Sequence, residues 1–145
     1  MEVVNTLDID GTQWEIQDVE ARNRIAELEK SLVTQSLGDI NIKLKPGYTA
    51  VDTNMTFHYK SGKIHFMIVK LSSISGPNVG TTISTEIGSI NIFPKKRTSF
   101  ILYDYINSAV IRCSIDEVGT ISLQESKGVK QGDNVCVGEL IFAEA

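Results

Sequence analysis

The sequence predicts a mainly β protein: an N-terminal β-hairpin and a short coiled-coil helix, followed by an antiparallel β-sandwich head of the jelly-roll kind. Three observations predict it. An Asp-Gly turn stands between two alternating runs, apolar residues then recur at a four-three-four spacing, and about eight short β runs separated by turn residues fill the remainder. The predicted divisions are 1–17 for the hairpin, 18–37 for the helix and 38–145 for the head.

The hairpin prediction comes from Asp10-Gly11, because a type I′ turn needs positive φ at both central residues. Such a turn places Leu7 opposite Trp14. It also places Ile9 opposite Thr12. One face of the hairpin is then apolar, and its residues are Leu7, Ile9, Trp14 and Ile16. An isolated hairpin is marginally stable in water, so we expect this face to dock on another surface of a larger assembly.

The helix prediction begins at Asp18, a favourable N-cap residue. Apolar residues follow at the spacing of a coiled-coil seam, and they are Ala21, Ile25, Leu28 and Leu32. The alternative is an amphipathic helix that lies on its own domain. Because a polar joint and a separate β region follow, there is little local core for the helix to cover, and we favour association between chains.

The head is predicted from short runs of β-forming residues bounded by Gly, Pro and Asn. The predicted strands are Ile40–Leu44, Met55–Tyr59, Lys63–Leu71, Ile87–Phe93, Ser99–Tyr105, Ala109–Ile115, Thr120–Leu123 and Val135–Phe142. Apolar and polar residues alternate most clearly in Ala109–Ile115, which indicates a strand with one buried face.

Composition excludes several partners. The net charge of −4 and the pI near 5.2 disfavour nucleic-acid binding, which needs a basic surface. No apolar run approaches the ~20 residues that span a bilayer, and the first residues do not form a signal peptide. We therefore expect synthesis in a cytoplasm. Cys113 and Cys136 are interpreted as small buried apolar residues, with a disulfide between them as the alternative.

The residues that carry enzyme chemistry do not assemble into a known pattern. His58 and His65 are the only histidines, and one strand-turn-strand can bring them together, but no Cys or Glu stands at ligand spacing around them. The acids Asp104, Asp116 and Glu117 adjoin predicted turns and are not interpreted as a glycosidase pair. We expect no enzyme activity, no metal and no cofactor.

A binding surface is the remaining interpretation. Tyr103 and Tyr105 flank Asp104 just before a turn, and aromatic rings beside polar groups stack on sugars or peptides while their hydroxyls form hydrogen bonds. These three residues are the receptor-binding candidates. The alternative, which the pattern favours, is that one or both tyrosines lie in the core or in a subunit interface.

Two parts of the chain resemble tail-fibre and baseplate receptor-binding proteins from phages and prophages of Gram-positive bacteria. The segment Ile9–Arg22 has their strand–Asp-Gly–strand hairpin followed by an Asp-x-x-Ala-Arg helix start, and Ile25–Leu28 supplies the Ile-x-x-Leu that comes next. Gly88–Pro94 with Arg97, and Val118–Leu123, are similar to parts of their head domains. The residues from 39 to 86 match no part of the family.

This resemblance implies a homotrimer in the virion tail, made in the cytoplasm of the bacterial host. It implies that the N-terminus binds other tail or baseplate proteins and that the head binds a host cell-wall saccharide or surface protein. Two alternatives stay open: a structural tail or baseplate adaptor that contacts other phage proteins, and a small bacterial carbohydrate-binding trimer.

Overall fold

The computed structural model describes residues 6–15, 19–32, 34–38 and 40–145. Its internal contacts divide the chain into two units, Met1–Thr34 and Gln35–Ala145. The first unit contains a hairpin and a helix, and the second contains the β-sheet.

The hairpin has the predicted register. Strand β1 (Thr6–Ile9) pairs antiparallel with β2 (Thr12–Glu15), with Leu7 opposite Trp14. Asp10 and Gly11 have φ values of 52° and 76°, the left-handed conformations that a type I′ turn requires. The predicted apolar face stays a prediction, because Ile16 and the side chains of Leu7, Ile9 and Trp14 lie outside the described part of the structure.

Helix α1 (Val19–Leu32) follows, with Glu20 in its first turn and Lys30 in its last, where their charges complement the helix dipole. Ala21 and Ile25 are half-buried, and Leu28 is 61% exposed. The predicted N-cap Asp18 and the side chain of Leu32 lie outside the described residues. No helix among those described is long and apolar enough to cross a membrane.

The remaining described strands form one sheet. They are β3 (Thr34–Ser36), β4 (Ile40–Asn41), β5 (Lys43–Leu44), β6 (Asn54–Ser61), β7 (Ile64–Ser72), β8 (Thr85–Ser89), β9 (Thr98–Asp104), β10 (Ala109–Ile115), β11 (Thr120–Glu125) and β12 (Val135–Ala143). Their order is β3-β6-β7-β12-β9-β10-β11-β8-β5, with β4 also beside β6. Every pairing whose register is described is antiparallel. The predicted mainly β, antiparallel class is confirmed. The segment 18–37, predicted as helix, contains α1 and also the short strand β3.

The short segment 40–44 connects the two ends of this order. Ile40 pairs with Met55 of β6, while Lys43 pairs with Ser89 of β8 at the other end. Ile42 lies between the two bridges and is buried. The sheet is therefore curled around one core, and this segment contacts strands near both of its ends.

Strands β9 to β12 form a Greek key, since β9, β10 and β11 are sequential neighbours and β12 returns beside β9. Successive side chains of a strand point to opposite faces, so one face of each strand fills the core. The largest fully buried side chains include Leu71, Ile74, Ile87, Leu102, Ile111, Ile115, Ile121 and Leu140.

Candidate functional site

Asp104 lies at the end of β9 with 0% of its surface exposed. Its Oδ1 accepts hydrogen bonds from the backbone N–H groups of Ile106 (3.0 Å) and Val135 (3.2 Å). Its Oδ2 accepts one from the Asn107 side-chain amide at 2.6 Å. The prediction that Asp104 contacts a receptor is therefore corrected: this carboxylate holds the β9–β10 turn against the start of β12.

Tyr103 and Tyr105 have the exposure that Asp104 lacks. Tyr103 is 39% exposed and Tyr105 is 66% exposed, and their rings meet edge to face with centroids 5.0 Å apart. Val110, opposite Tyr103 on β10, is also exposed. The two rings and their hydroxyls form a surface on which a flat or ring-shaped ligand can stack.

A second group of polar side chains lies between β6, β7 and the end of β12. His58 Nε2 and His65 Nδ1 are 2.7 Å apart, and His65 Nε2 is 2.8 Å from Glu144 Oε2. The other carboxylate oxygen, Glu144 Oε1, is 2.6 Å from Lys60 Nζ. Phe142 stacks on His65 with ring centroids 5.0 Å apart. These contacts form a continuous chain from a buried histidine to a half-exposed ion pair, and they confirm that the two histidines meet.

The strands explain this placement. Lys60 pairs with His65, and the two side chains lie on the inner face of the sheet, while Tyr59 and Phe66 lie on the outer face. A register irregularity between Thr56 and Tyr59 adjoins His58, which is buried. Bulges of this kind re-aim a side chain at the point where the ladder is interrupted.

The surroundings of the group favour an ionised Glu144 and a neutral His58. Hydrogen bonds from Lys60 and His65 hold the pKa of the Glu144 carboxyl below its usual value of 4.5. Burial, followed by the charges of His65 and Lys60, holds the pKa of His58 below its usual value of 6.5. A neutral His65 that donates from Nε2 accepts at Nδ1, so His58 donates from Nε2. His58 Nδ1 is then a buried acceptor with no hydrogen-bond partner among the described residues.

A cavity of about 440 Å³ adjoins this group. It is lined by Leu37, Ile40, His58, Lys60, His65, Asn91, Ile92, Phe93, Glu144 and Ala145. The sequence indicates the histidines only as candidate zinc ligands and does not indicate Lys60, Asn91, Phe93 or Glu144. Glu144 is 79 positions from His65, and no local motif joins them. One signal in the sequence could have indicated Glu144. Side chains alternate along β12, so Glu144, two residues after the buried Phe142, points to the same face and can contact β7.

The other candidate residues have structural surroundings. Cys113 and Cys136 are free and buried, so they behave as apolar residues as expected. Burial raises the pKa of both thiols, that of Cys136 to about 12. Asp116 accepts backbone hydrogen bonds within the β10–β11 turn, as a turn acid does. In the described part of the chain, no group of three or more His, Cys, Asp or Glu can hold a metal ion.

Comparison with known proteins shows likeness to solved structures. No family model matches the chain, and no curated protein matches it. One of these solved structures is the head domain of phage bIL170. Its published description asks whether the receptor-binding domains of lactococcal phages have a common fold. The two are 14% identical with a TM-score of 0.48, and the match covers 72% of this chain and 96% of that domain.

Proposed function

We propose that this chain is a tail-fibre or baseplate protein of a phage or prophage of Gram-positive bacteria, and that its β unit binds a receptor on the host surface. The motif at Ile9–Arg22 supports this, because its hairpin and helix form at the positions where that group of proteins has them. The expected ligand is a cell-wall saccharide. The role is one of binding, without catalysis, and its place is the virion tail.

The observation that carries the binding role is the exposed ring pair of Tyr103 and Tyr105 beside a buried, fully hydrogen-bonded Asp104. A carboxylate that fixes the turn limits how the two adjoining residues move. Rings held in one geometry lose little conformational entropy on binding. Their flat faces suit the apolar face of a sugar ring, and their hydroxyls suit its hydroxyl groups.

The association of chains is assigned to both units, Met1–Thr34 and Gln35–Ala145. The proposed homotrimer seam comprises Ala21, Ile25, Leu28 and Leu32 of α1, and the exposure of Leu28 supports contact with another chain. A seam of this length is too short to hold three chains alone, so jelly-roll-like sandwich heads would add to the interface. The hairpin would dock on other tail or baseplate proteins.

Cell-wall binding tests the receptor role. Purified cell walls from candidate hosts are incubated with the wild-type protein and with the Tyr103→Ala and Tyr105→Ala variants, and the bound fraction is measured by sedimentation. We expect each variant to bind about 10-fold more weakly, a loss of about 1.4 kcal/mol in binding free energy, which is on the order of what one aromatic stacking contact contributes. Tyr59→Ala is the matched control, because Tyr59 is 40% exposed on β6. Equal losses in all three variants would contradict a specific role for the ring pair.

A second candidate function is supported by the outer face of the sheet. Three of its apolar side chains are more than half exposed, and they are Ile101, Val110 and Ile141. Contiguous apolar surface is typical of protein–protein contacts. An adaptor that binds other phage proteins would show no wall binding and would instead co-purify with tail or baseplate proteins produced in the same cells.

A further inference from the structure

The cavity beside Glu144 has a partly accessible ion pair at its mouth. The side chains of Lys60 and Glu144 are 28% and 29% exposed, in contrast to the two buried histidines behind them. Asn91 and Phe93 are exposed on a neighbouring segment of the lining, and Phe93 is 48% exposed. The lining therefore combines a donor, an acceptor, an amide and an aromatic ring.

Glu144 is fixed from both its backbone and its side chain. Its N–H donates to the Lys63 carbonyl at 2.8 Å, and a β-bridge joins it to Pro94. The histidine chain holds one carboxylate oxygen and Lys60 holds the other. A carboxylate fixed in this way needs no reorganisation to accept further hydrogen bonds, which is the property of a preformed site.

The hydrogen-bonding capacity of the pair is not exhausted. A carboxylate has about four lone-pair positions, and an ammonium group has three donors. The contacts of the described residues use two positions on Glu144 and one donor on Lys60. The remaining acceptors and donors lie side by side, which suits a ligand with neighbouring hydroxyl groups, each able to donate and accept.

The ion pair disfavours charged ligands. Lys60 and Glu144 have opposite charges and lie 2.6 Å apart, so each is the other's partner. A carboxylate or phosphate ligand would compete with Glu144 for Lys60, and an ammonium ligand would compete with Lys60 for Glu144. A neutral ligand disturbs neither, and a volume of about 440 Å³ is sufficient for a molecule much larger than water.

We propose that the cavity bounded by Lys60, Glu144 and Phe93 binds a neutral ligand with adjacent hydroxyl groups, which hydrogen-bonds to the ion pair and packs an apolar face against the Phe93 ring. A sugar ring and an open-chain polyol share this chemistry. The His58–His65 pair acts as a positioning element that holds Glu144. This inference rests on the proposed function only where it assigns the ligand to a host cell surface. The cavity is a separate site from the Tyr103–Tyr105 pair.

The experiment titrates methyl α-glucoside and glycerol, as ring and open-chain probes, into the isotope-labelled full-length protein and follows side-chain and backbone signals by NMR. We expect saturable shifts at Lys60, His65 and Glu144 with a dissociation constant of about 1 mM for the glucoside, the affinity that ordinary ligand efficiency gives a molecule of that size. Tighter binding of the glucoside than of glycerol supports packing against the Phe93 ring. Equal affinities for the two probes would mean that the site recognises hydroxyl groups alone.

Variants separate the cavity from general effects. Glu144→Gln and Phe93→Ala should each weaken glucoside binding about 10-fold or more, and Glu139→Gln, on an exposed position of β12, should leave it unchanged. Because Glu144→Gln disturbs the buried chain, Phe93→Ala provides the test that does not depend on folding. Absence of saturable shifts in the wild-type protein, or unchanged affinity in Phe93→Ala, overturns the proposal. Wall binding that persists in either case leaves the proposed function intact, since that binding is assigned to the tyrosine pair.

Discussion

The imidazole rings of His58 and His65 stack with centroids 5.0 Å apart while Nε2 of the first lies 2.7 Å from Nδ1 of the second. One proton shared between these nitrogens makes this hydrogen bond, while Nδ1 of His58 has no hydrogen-bond partner among the described residues. Glu144 accepts from the outer nitrogen of His65. The arrangement couples the stability of the β unit to pH.

The first prediction concerns that coupling. The pKa of His58 in the folded chain lies below 6.5, mainly because the ring is buried. Below pH 6.5 the unfolded chain binds a proton that the folded chain does not, so the free energy of unfolding should fall as the pH drops from 6.5 to the folded pKa. Above 6.5 this contribution is constant. Urea titrations between about pH 7 and pH 5 measure it, at ~1.4 kcal/mol for each unit of difference in pKa.

The matched variant is His58→Leu, which removes the titrating group and should flatten this slope. A second, more acidic loss belongs to Glu144, whose lowered pKa gives stability that is present above pH 4.5 and is lost on further acidification. Glu144→Gln should remove the second loss and keep the first. A slope near pH 6 that is the same in wild type and His58→Leu would show that His58 does not cause it.

The second prediction concerns Asp104. Asp104→Ala removes the acceptor of the part-buried N–H groups of Ile106 and Val135, and one of the two acceptors of the Asn107 amide, so we expect a loss of about 3 kcal/mol in the free energy of unfolding. Asp104→Asn keeps one acceptor oxygen and should lose less. Asp116→Ala is the control, because that aspartate also accepts hydrogen bonds in a turn but is half-buried. Equal losses for Asp104→Ala and Asp116→Ala would contradict the assigned role.

The third prediction concerns the close approach of β12 to β9. A Cβ atom at Gly138 would fall far inside the van der Waals distance of the Ile101 carbonyl oxygen and would also meet the Leu102 side chain. Gly138→Ala should therefore separate the strands and cost about 3 kcal/mol. Gly132→Ala is the comparison: nothing lies within 4 Å of its Cβ position, and only its φ of 73° is unfavourable, at about 1 kcal/mol. Denaturant unfolding of the two variants measures the difference, and the reverse order would exclude the steric explanation.

The fourth prediction concerns the buried thiols. Burial raises the pKa of Cys136 to about 12 and also raises the pKa of Cys113, so neither residue forms the reactive thiolate near neutral pH. A maleimide reagent should modify neither residue in the native protein and both after denaturation, as counted by mass spectrometry. Rapid modification of the native chain would show that the core around β10 and β12 opens readily.

The parts of the fold that depend on local sequence were predictable. The hairpin register follows from Asp10-Gly11 because two positive φ values fix the turn, and the alternation in Ala109–Ile115 gave the bounds of β10. The same alternation in β9, with Phe100 and Leu102 inward, indicates that Asp104 points inward as well. The place of Asp104 among the receptor-binding candidates disagrees with this alternation.

The parts that depend on distant pairing were not predictable. The position of β12 between β7 and β9 is set by how the strands share one core, and no turn residue encodes it. The meeting of His65 and Glu144 depends on that position. A prediction from the sequence therefore gave the two histidines and missed the carboxylate that connects them to the cavity.

The last prediction concerns assembly through α1. The double variant Ile25→Ser, Leu28→Ser replaces two residues of the proposed seam by polar ones. Because Leu28 is largely exposed in the single chain, we expect a small loss in the stability of the fold and a large loss in the affinity between chains. Light scattering at micromolar concentration should give a trimer for the wild type and a lower mass for the variant. Glu27→Ser with Glu29→Ser, at exposed positions outside the seam, is the control and should remain trimeric. A wild-type monomer would exclude the trimer, whereas an unaltered trimer in the seam variant would place the interface in the β heads.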